Sequence, residues 1–153
     1  MKFYLAGPLF TQAEQDWWRG FRTRLQQLIE QRGADAEIVW PFELAGPEQV
    51  AAWGDRAKHE IFNLCRKHLE DTDIVIALLD GAQVDDGTAW EIGFFYARKR
   101  KGHYVLGLRT DFRSAGDAPT ATVNLMIDCT CDIIAGSVDE LLEEVDRILD
   151  TGC

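Results

Sequence analysis

Ile74-Val75-Ile76-Ala77-Leu78-Leu79-Asp80-Gly81 leads through two residues into Val84-Asp85-Asp86-Gly87-Thr88-Ala89-Trp90-Glu91-Ile92-Gly93-Phe94. A β-branched apolar run, an acidic glycine-containing loop and a helical segment follow one another, which is the pattern of a βα unit. The run from Asp73 to Leu79 is continuously apolar after its first residue, as a strand covered on both faces should be. In open α/β sheets ligands bind in the crevice outside the carboxyl ends of the strands. The loop between Asp80 and Gly87 is therefore expected beside a ligand.

Working outward, the same alternation recurs on both sides. Lys2 to Ala6 reads as a first strand, broken by Gly7-Pro8. From Thr11, an N-cap, to about Arg32 the spacing of Trp18, Phe21, Leu25, Leu28 and Ile29 predicts a helix with one apolar face, ended by Gly33. Ile38-Val39-Trp40 reads as a second strand stopped by Pro41. A short helix is predicted around Glu48–Trp53 and a longer one from about Asp55 to Glu70, with Ala57, Ile61, Leu64, Cys65 and His68 on one face. The helix after Gly87 is expected to reach about Lys101. Ala89, Gly93 and Ala97 repeat along it every four residues, a stripe that lets the sheet or a partner subunit pack close. His103 to Leu108 reads as a fourth strand, and Asn124-Leu125-Met126-Ile127 as a fifth strand or a turn into one. Ser137 caps a last amphipathic helix. Strands alternating with helices predict one domain over residues 1–153, a three-layer α/β/α sandwich around a mainly parallel five-stranded sheet of the Rossmann/flavodoxin-like type.

Composition narrows the chemistry. Lys and Arg number 16 against 26 Asp and Glu, a net charge of −10. Such a chain is a poor partner for a nucleic-acid backbone, which needs clustered cations; a nucleoside, which carries no phosphate, is not excluded. No signal peptide is visible after Met1-Lys2, and no apolar stretch is long enough to span a bilayer. Cys65, Cys129, Cys131 and Cys153 lack zinc-site spacing, and His59, His68 and His103 form no ligand motif. Free thiols in a cytoplasmic protein, with no metal site and no membrane contact, are the expectation.

The carboxylates of the opening stretch carry the candidate chemistry. Glu91 is expected in the first turn of its helix, where free N–H groups and the macrodipole favour the charged form. An aspartate crowded beside it would hold a proton, since like charges in one site push pKa values apart. One carboxylate as nucleophile and one carboxyl as acid suffice to cleave a glycosidic bond through a covalent intermediate. From spacing alone the plainer reading is favoured, with Asp86 as an N-cap and Glu91 as a solvated charge, because acidic first turns are common.

Asp85-Asp86-Gly87-Thr88-Ala89-Trp90-Glu91-Ile92-Gly93 resembles the signature of the nucleoside 2-deoxyribosyltransferase family. Phe3-Tyr4-Leu5-Ala6-Gly7-Pro8-Leu9-Phe10 and Asn124-Leu125-Met126 resemble two further family blocks, in the family order. Gly107 to Arg113 is a weaker match. The resemblance implies Glu91 as nucleophile, Asp85 as base-side acid with Asp86 as fallback, and Tyr4 holding Glu91. It implies a substrate pocket that takes in Gly7, Leu9 and Phe10 of the first loop, Phe42 beside the base, and Gly87. Asp80 either caps a turn or touches the substrate. Asn124 and Met126 would reach the sugar from a neighbouring subunit, making the protein a homodimer or a higher homo-oligomer with shared sites. No cofactor is implied. Many members carry an acidic residue eight positions before the aspartate that opens the third strand; here, counting from Asp73, that position is Cys65.

The resemblance therefore implies base exchange between a 2′-deoxynucleoside and a free nucleobase. Two alternatives stand beside it. One is hydrolysis of a 2′-deoxynucleoside 5′-monophosphate, disfavoured because Leu5 to Phe10 lacks the serine cluster that would suit a phosphate. The other is a nucleotide sensor of the same fold without catalysis.

Overall fold

The computed structural model describes residues 1–151. The elements are β1 (Lys2–Ala6), α1 (Gln12–Arg32), β2 (Glu37–Val39), α2 (Pro47–Trp53), α3 (Ala57–Glu70), β3 (Ile74–Leu78), α4 (Asp86–Tyr96), β4 (Tyr104–Leu108), α5 (Leu125–Asp128), β5 (Ile133–Ala135) and α6 (Val138–Thr151). Short 3-10 turns lie at Pro41–Glu43 and Gly54–Arg56. The strands form one sheet in the order β2-β1-β3-β4-β5, and every neighbouring pair is parallel. Strand order reverses between β1 and β3, which places the switch-point crevice at their carboxyl ends.

Alternation along the central strands builds two cores. Phe3, Leu5, Ile74 and Ile76 point to one face, where Trp18, Phe21, Leu25 and Ile29 of α1 meet Leu141, Val145 and Ile148 of α6. Tyr4, Ala6, Val75 and Ala77 point to the other, against Leu69 of α3 and Ile92 and Phe95 of α4. The result is the three-layer sandwich expected. Arg32 reaches Asp146 and Asp150, and Arg24 reaches Asp139, so charge pairs fasten α1 to α6 outside the apolar contact.

The helix ends follow local chemistry. Thr11 and Glu14 form a capping box at the start of α1, and Gly33 ends it with φ +60°. Several expected boundaries move. α4 stops at Tyr96, because the chain must turn back to begin β4 at Tyr104; Arg98 lies over the Phe94 ring and Lys99 pairs with Asp132. Asn124 to Ile127 is not strand. Asn124 accepts the Met126 N–H and starts the single helical turn α5, and the fifth strand begins only at Ile133. The small-residue stripe does not pack on the sheet: Gly93 and Ala97 are exposed, and a Cβ at Gly93 would meet nothing within 4 Å.

Gly7 is glycine because of a close approach. A Cβ there would sit 2.4 Å from the Trp18 ring and 3.1 Å from Leu78 Cβ. Trp18 is fully buried and its indole N–H donates to the Pro8 carbonyl at 3.0 Å, so the ring has little freedom to retreat. Gly7→Ala is therefore expected to destabilise the fold by about 1–3 kcal/mol, the usual cost of overpacking. Urea unfolding would register it as a lower midpoint with an unchanged slope. An unshifted midpoint would mean that Trp18 yields.

Candidate active site

Three strand-end segments and the helices beside them converge on a cavity of about 860 Å³. The loop after β1 supplies Gly7, Leu9 and Phe10; the segment after β2 supplies Pro41 to Pro47 with Val50 and Ala51; the end of the loop after β3 supplies Asp85, and α4 supplies Gly87, Thr88 and Glu91. α3 closes the side with Ile61, Leu64 and Cys65.

Glu91 sits in the second turn of α4, since the helix begins at Asp86. Its Oε1 accepts a hydrogen bond of 2.6 Å from the Tyr4 hydroxyl. Tyr4 is 0% exposed, and side-chain alternation in β1 is what aims it at α4 rather than α1. Burial pushes the Glu91 carboxyl up from 4.5 to about 7; the Tyr4 bond works against this, and the nearby charge of Asp85 works with it. The expectation of a carboxylate held ionised by the helix N-terminus is thus corrected: desolvation outweighs the macrodipole, whose effect is confined to the first turn. The Tyr4 phenol is held far above its ordinary value, by burial first and then by Glu91, so it is a permanent donor.

Asp85, not Asp86, is the N-cap of α4. Its Oδ2 accepts from the Thr88 N–H at 2.9 Å and the Thr88 hydroxyl at 3.1 Å. Oδ1 accepts nothing from the protein among the described residues, leaving that oxygen for the cavity. Asp86 faces the other flank of α4, in a second groove lined also by Asn124 and Met126. Those two side chains do not line the cavity that holds Glu91. Asn124 donates through Nδ2 to Asp117 Oδ2 at 2.6 Å, and Met126 is 71% exposed.

Asp80 stands apart from both. Its carboxylate accepts from the Thr110 N–H and hydroxyl and from the Asp111 N–H, tying the loop after β3 to the loop after β4. Arg109 completes this brace from beneath. It is 5% exposed and donates to the carbonyls of Leu79, Gly81 and Arg113, so neither a phosphate nor an acidic neighbour occupies it. Arg113 pairs with Asp111 and holds that carboxyl well below the usual range.

Phe42 is stacked on Trp40 with centroids 4.8 Å apart, and its ring is also approached by Arg19; it rims the cavity while 39% exposed. Several lining residues were not singled out in the sequence. Glu43, Leu44, Val50 and Ala51 carry no motif, Thr88 lies in the family-like stretch with no role read for it, and Cys65 stands out only as a departure from the family pattern. The signal for Cys65 was its place on the inner face of α3. Burial pushes its thiol up, so it lines the cavity as a neutral group beside Tyr4. Among the described residues no three His, Cys, Asp or Glu side chains gather as a metal ion would need, and no helix is long and apolar enough to cross a membrane. Gly152 and Cys153 lie outside the described residues.

A protein of Ureaplasma parvum with no characterised function is 32% identical over 122 residues, covering 74% of this chain and 72% of that one. The crystal structure of a conserved protein from Enterococcus faecalis V583 superposes with a TM-score of 0.75 at 28% identity, covering 96% of this chain and 98% of that one. A 2-deoxyribosyltransferase from Bacillus psychrosaccharolyticus shares the fold, with a TM-score of 0.67 at 22% identity over 96% of this chain and 91% of that one. The family model for nucleoside 2-deoxyribosyltransferases matches residues 3–126, a span that holds Tyr4, the Asp85–Gly93 stretch and Asn124, and the chain belongs to that family.

Proposed function

We propose that this protein transfers the 2-deoxyribosyl group of a 2′-deoxynucleoside to a second nucleobase, through a covalent deoxyribosyl-Glu91 intermediate and with net retention. The observation that carries the reading is the Tyr4–Glu91 pair: a carboxylate in a ligand-sized cavity, aimed by a buried phenol at 2.6 Å, in a chain of this family. Ionised Glu91 attacks the anomeric carbon as the C–N bond to the base breaks. Asp85 gives a proton to the departing base through the oxygen Thr88 leaves free and takes one back from the ring N–H of the incoming base. A second base enters from the same side, breaks the ester and returns Glu91 to its starting state. Two inversions give retention. The intermediate must be kept from water, and the apolar walls serve that.

Asn124 and Met126 complete the sugar site from a second copy, since within one protomer α4 separates them from Glu91. A homodimer or an assembly of dimers follows.

The nucleotide hydrolase is the weaker reading, for a reason beyond the missing serines. Helix N-termini are natural phosphate sites. Here the amide N–H groups of Phe10 and Thr11, at the start of α1, already donate to the Glu14 carboxylate at 2.9 and 2.7 Å. A 5′-phosphate would meet a filled site and a negative charge.

Deoxyinosine with adenine should give deoxyadenosine, and only when adenine is present, as followed by liquid chromatography. Glu91→Ala should lower exchange by about 10⁴-fold or more, as loss of a nucleophile does. Hypoxanthine released from dIMP with no exchange product would sink the transferase and favour the hydrolase.

The pH profile gives a second test. Glu91 is neutral below about 7 and must ionise to attack, so the rate should climb with pH to a plateau above about 7. Tyr4→Phe removes a charge-assisted bond worth about 1.5–3 kcal/mol. That is about 1–2 pKa units, so the rising limb should move to higher pH by that amount while the rate falls. A Tyr4→Phe enzyme with an unmoved limb would take Tyr4 out of this role.

A further inference from the structure

The cavity as a whole is large for an unsubstituted deoxynucleoside, and its end away from Glu91 is lined by apolar side chains. At about 860 Å³ the cavity lies near the top of the range for drug-sized ligands, about 300–1,000 Å³. The polar groups that do the chemistry, Tyr4, Asp85 and Glu91, are held by β1 and α4. The opposite wall is built from Leu44 before α2, Val50 and Ala51 on α2, and Ile61 and Leu64 on α3. This wall is incompletely covered by the described residues: α2 contains no buried residue, and Ile61 is 40% exposed. Its apolar side chains face the cavity instead of a core.

The charges set limits on what fits there. The carboxylates in the lining are Glu43, Asp85 and Glu91, and no lysine or arginine is among the described lining residues. Glu43 is drawn outward to Arg22 at 3.4 Å. Cys65, at the inner end of the wall, is a neutral thiol. An anionic substituent would find no counter-charge, and a polar one would lose water without gaining partners. An apolar substituent would bury itself against side chains that otherwise remain wet.

Resting on the transferase reading, we propose that the base accepted by this enzyme carries a neutral apolar substituent on its ring, such as an N6-alkylated or N6-arylated adenine, which lies along the α2–α3 wall. In reaction terms the base still adds through a ring nitrogen to the anomeric carbon; the substituent adds binding and takes no part in bond making.

The test offers adenine and N6-benzyladenine together, at equal limiting concentration, with deoxyinosine as donor. Formation of the N6-benzyl product should outrun deoxyadenosine by roughly tenfold, the scale on which apolar pockets discriminate. Val50→Asp, which puts a charge into the wall, should bring that ratio to one or below. Because both products form in one tube on one enzyme sample, a loss of folded protein cancels from the ratio. Adenine preferred by the unaltered enzyme, or a ratio unmoved by Val50→Asp, overturns the proposal. Calorimetric titration of the enzyme with each base alone separates the two levels. If neither base is exchanged the transferase reading fails, while tighter binding of N6-benzyladenine still supports the apolar wall and equal or weaker binding refutes it.

Discussion

The hydrogen bond from Tyr4 to Glu91 joins residues 87 positions apart and makes a cavity into a site. A carboxyl group facing apolar walls would stay neutral without help. Its shift from 4.5 to about 7 corresponds to roughly 3 kcal/mol against the charged form, before screening reduces it. Tyr4 keeps that shift from going further. The sign has a consequence for the fold. Between pH 4.5 and 7 the folded chain holds more protons than the unfolded one, so this carboxyl lowers stability as pH rises through that window. The site is held in a state the fold does not prefer, by a phenol that the strand register cannot point elsewhere.

That register comes from the sheet. In parallel strands covered on both faces, alternate residues go to opposite layers, so Phe3 and Leu5 feed the α1–α6 core while Tyr4 and Ala6 feed the α3–α4 core. The switch point then brings the ends of β1 and β3 together. Gly7 allows Trp18 to pack directly beneath the first loop, which fixes the floor of the crevice. Asp80 and Arg109 fix its far side: Asp80 accepts from the Thr110 N–H and hydroxyl and the Asp111 N–H, and Arg109 donates to the carbonyls of Leu79, Gly81 and Arg113 while its buried Nε has no partner among the described residues. Arg109 is a buried cation compensated by carbonyl dipoles rather than by a carboxylate, which makes it a support for the loops.

The layered fold was legible in the sequence because each element announces itself locally. The continuous run at 74–79, Thr11 as the N-cap and Gly33 after the helix are short-range signals, and they held. The boundaries that moved are those set by distant contacts. Nothing local stops α4 at Tyr96; the start of β4 does. Asn124 to Ile127 has strand-like apolar content, but an asparagine free to accept from the N–H two residues on favours a turn of helix. The candidate site was legible in the residues and not in their electrostatics. Spacing suggested that Glu91 lies in a first turn and is therefore charged. Its real position, one turn deeper and facing a half-closed cavity, is a tertiary fact. Asp80 at its strand end left a turn cap and a substrate contact both open, and only the fold reveals that it ties the loop after β3 to Thr110 and Asp111.

Cys65 brings the electrostatics and the departure from the family pattern together. Like charges in one site raise each other's pKa values. Glu91 already feels burial and one neighbouring carboxylate, Asp85. A further acid at position 65, beside Tyr4, would add a second like charge and push Glu91 higher still, with the phenol as the only opposing donor. A thiol whose own ionisation is suppressed by burial adds no such charge. The same substitution removes a polar group from the base end of the cavity. One replacement therefore acts in two directions: it leaves Glu91 easier to ionise than a second acid would, and it leaves that end of the cavity lined by apolar side chains and a neutral thiol, with a single free carboxylate oxygen of Asp85 facing them.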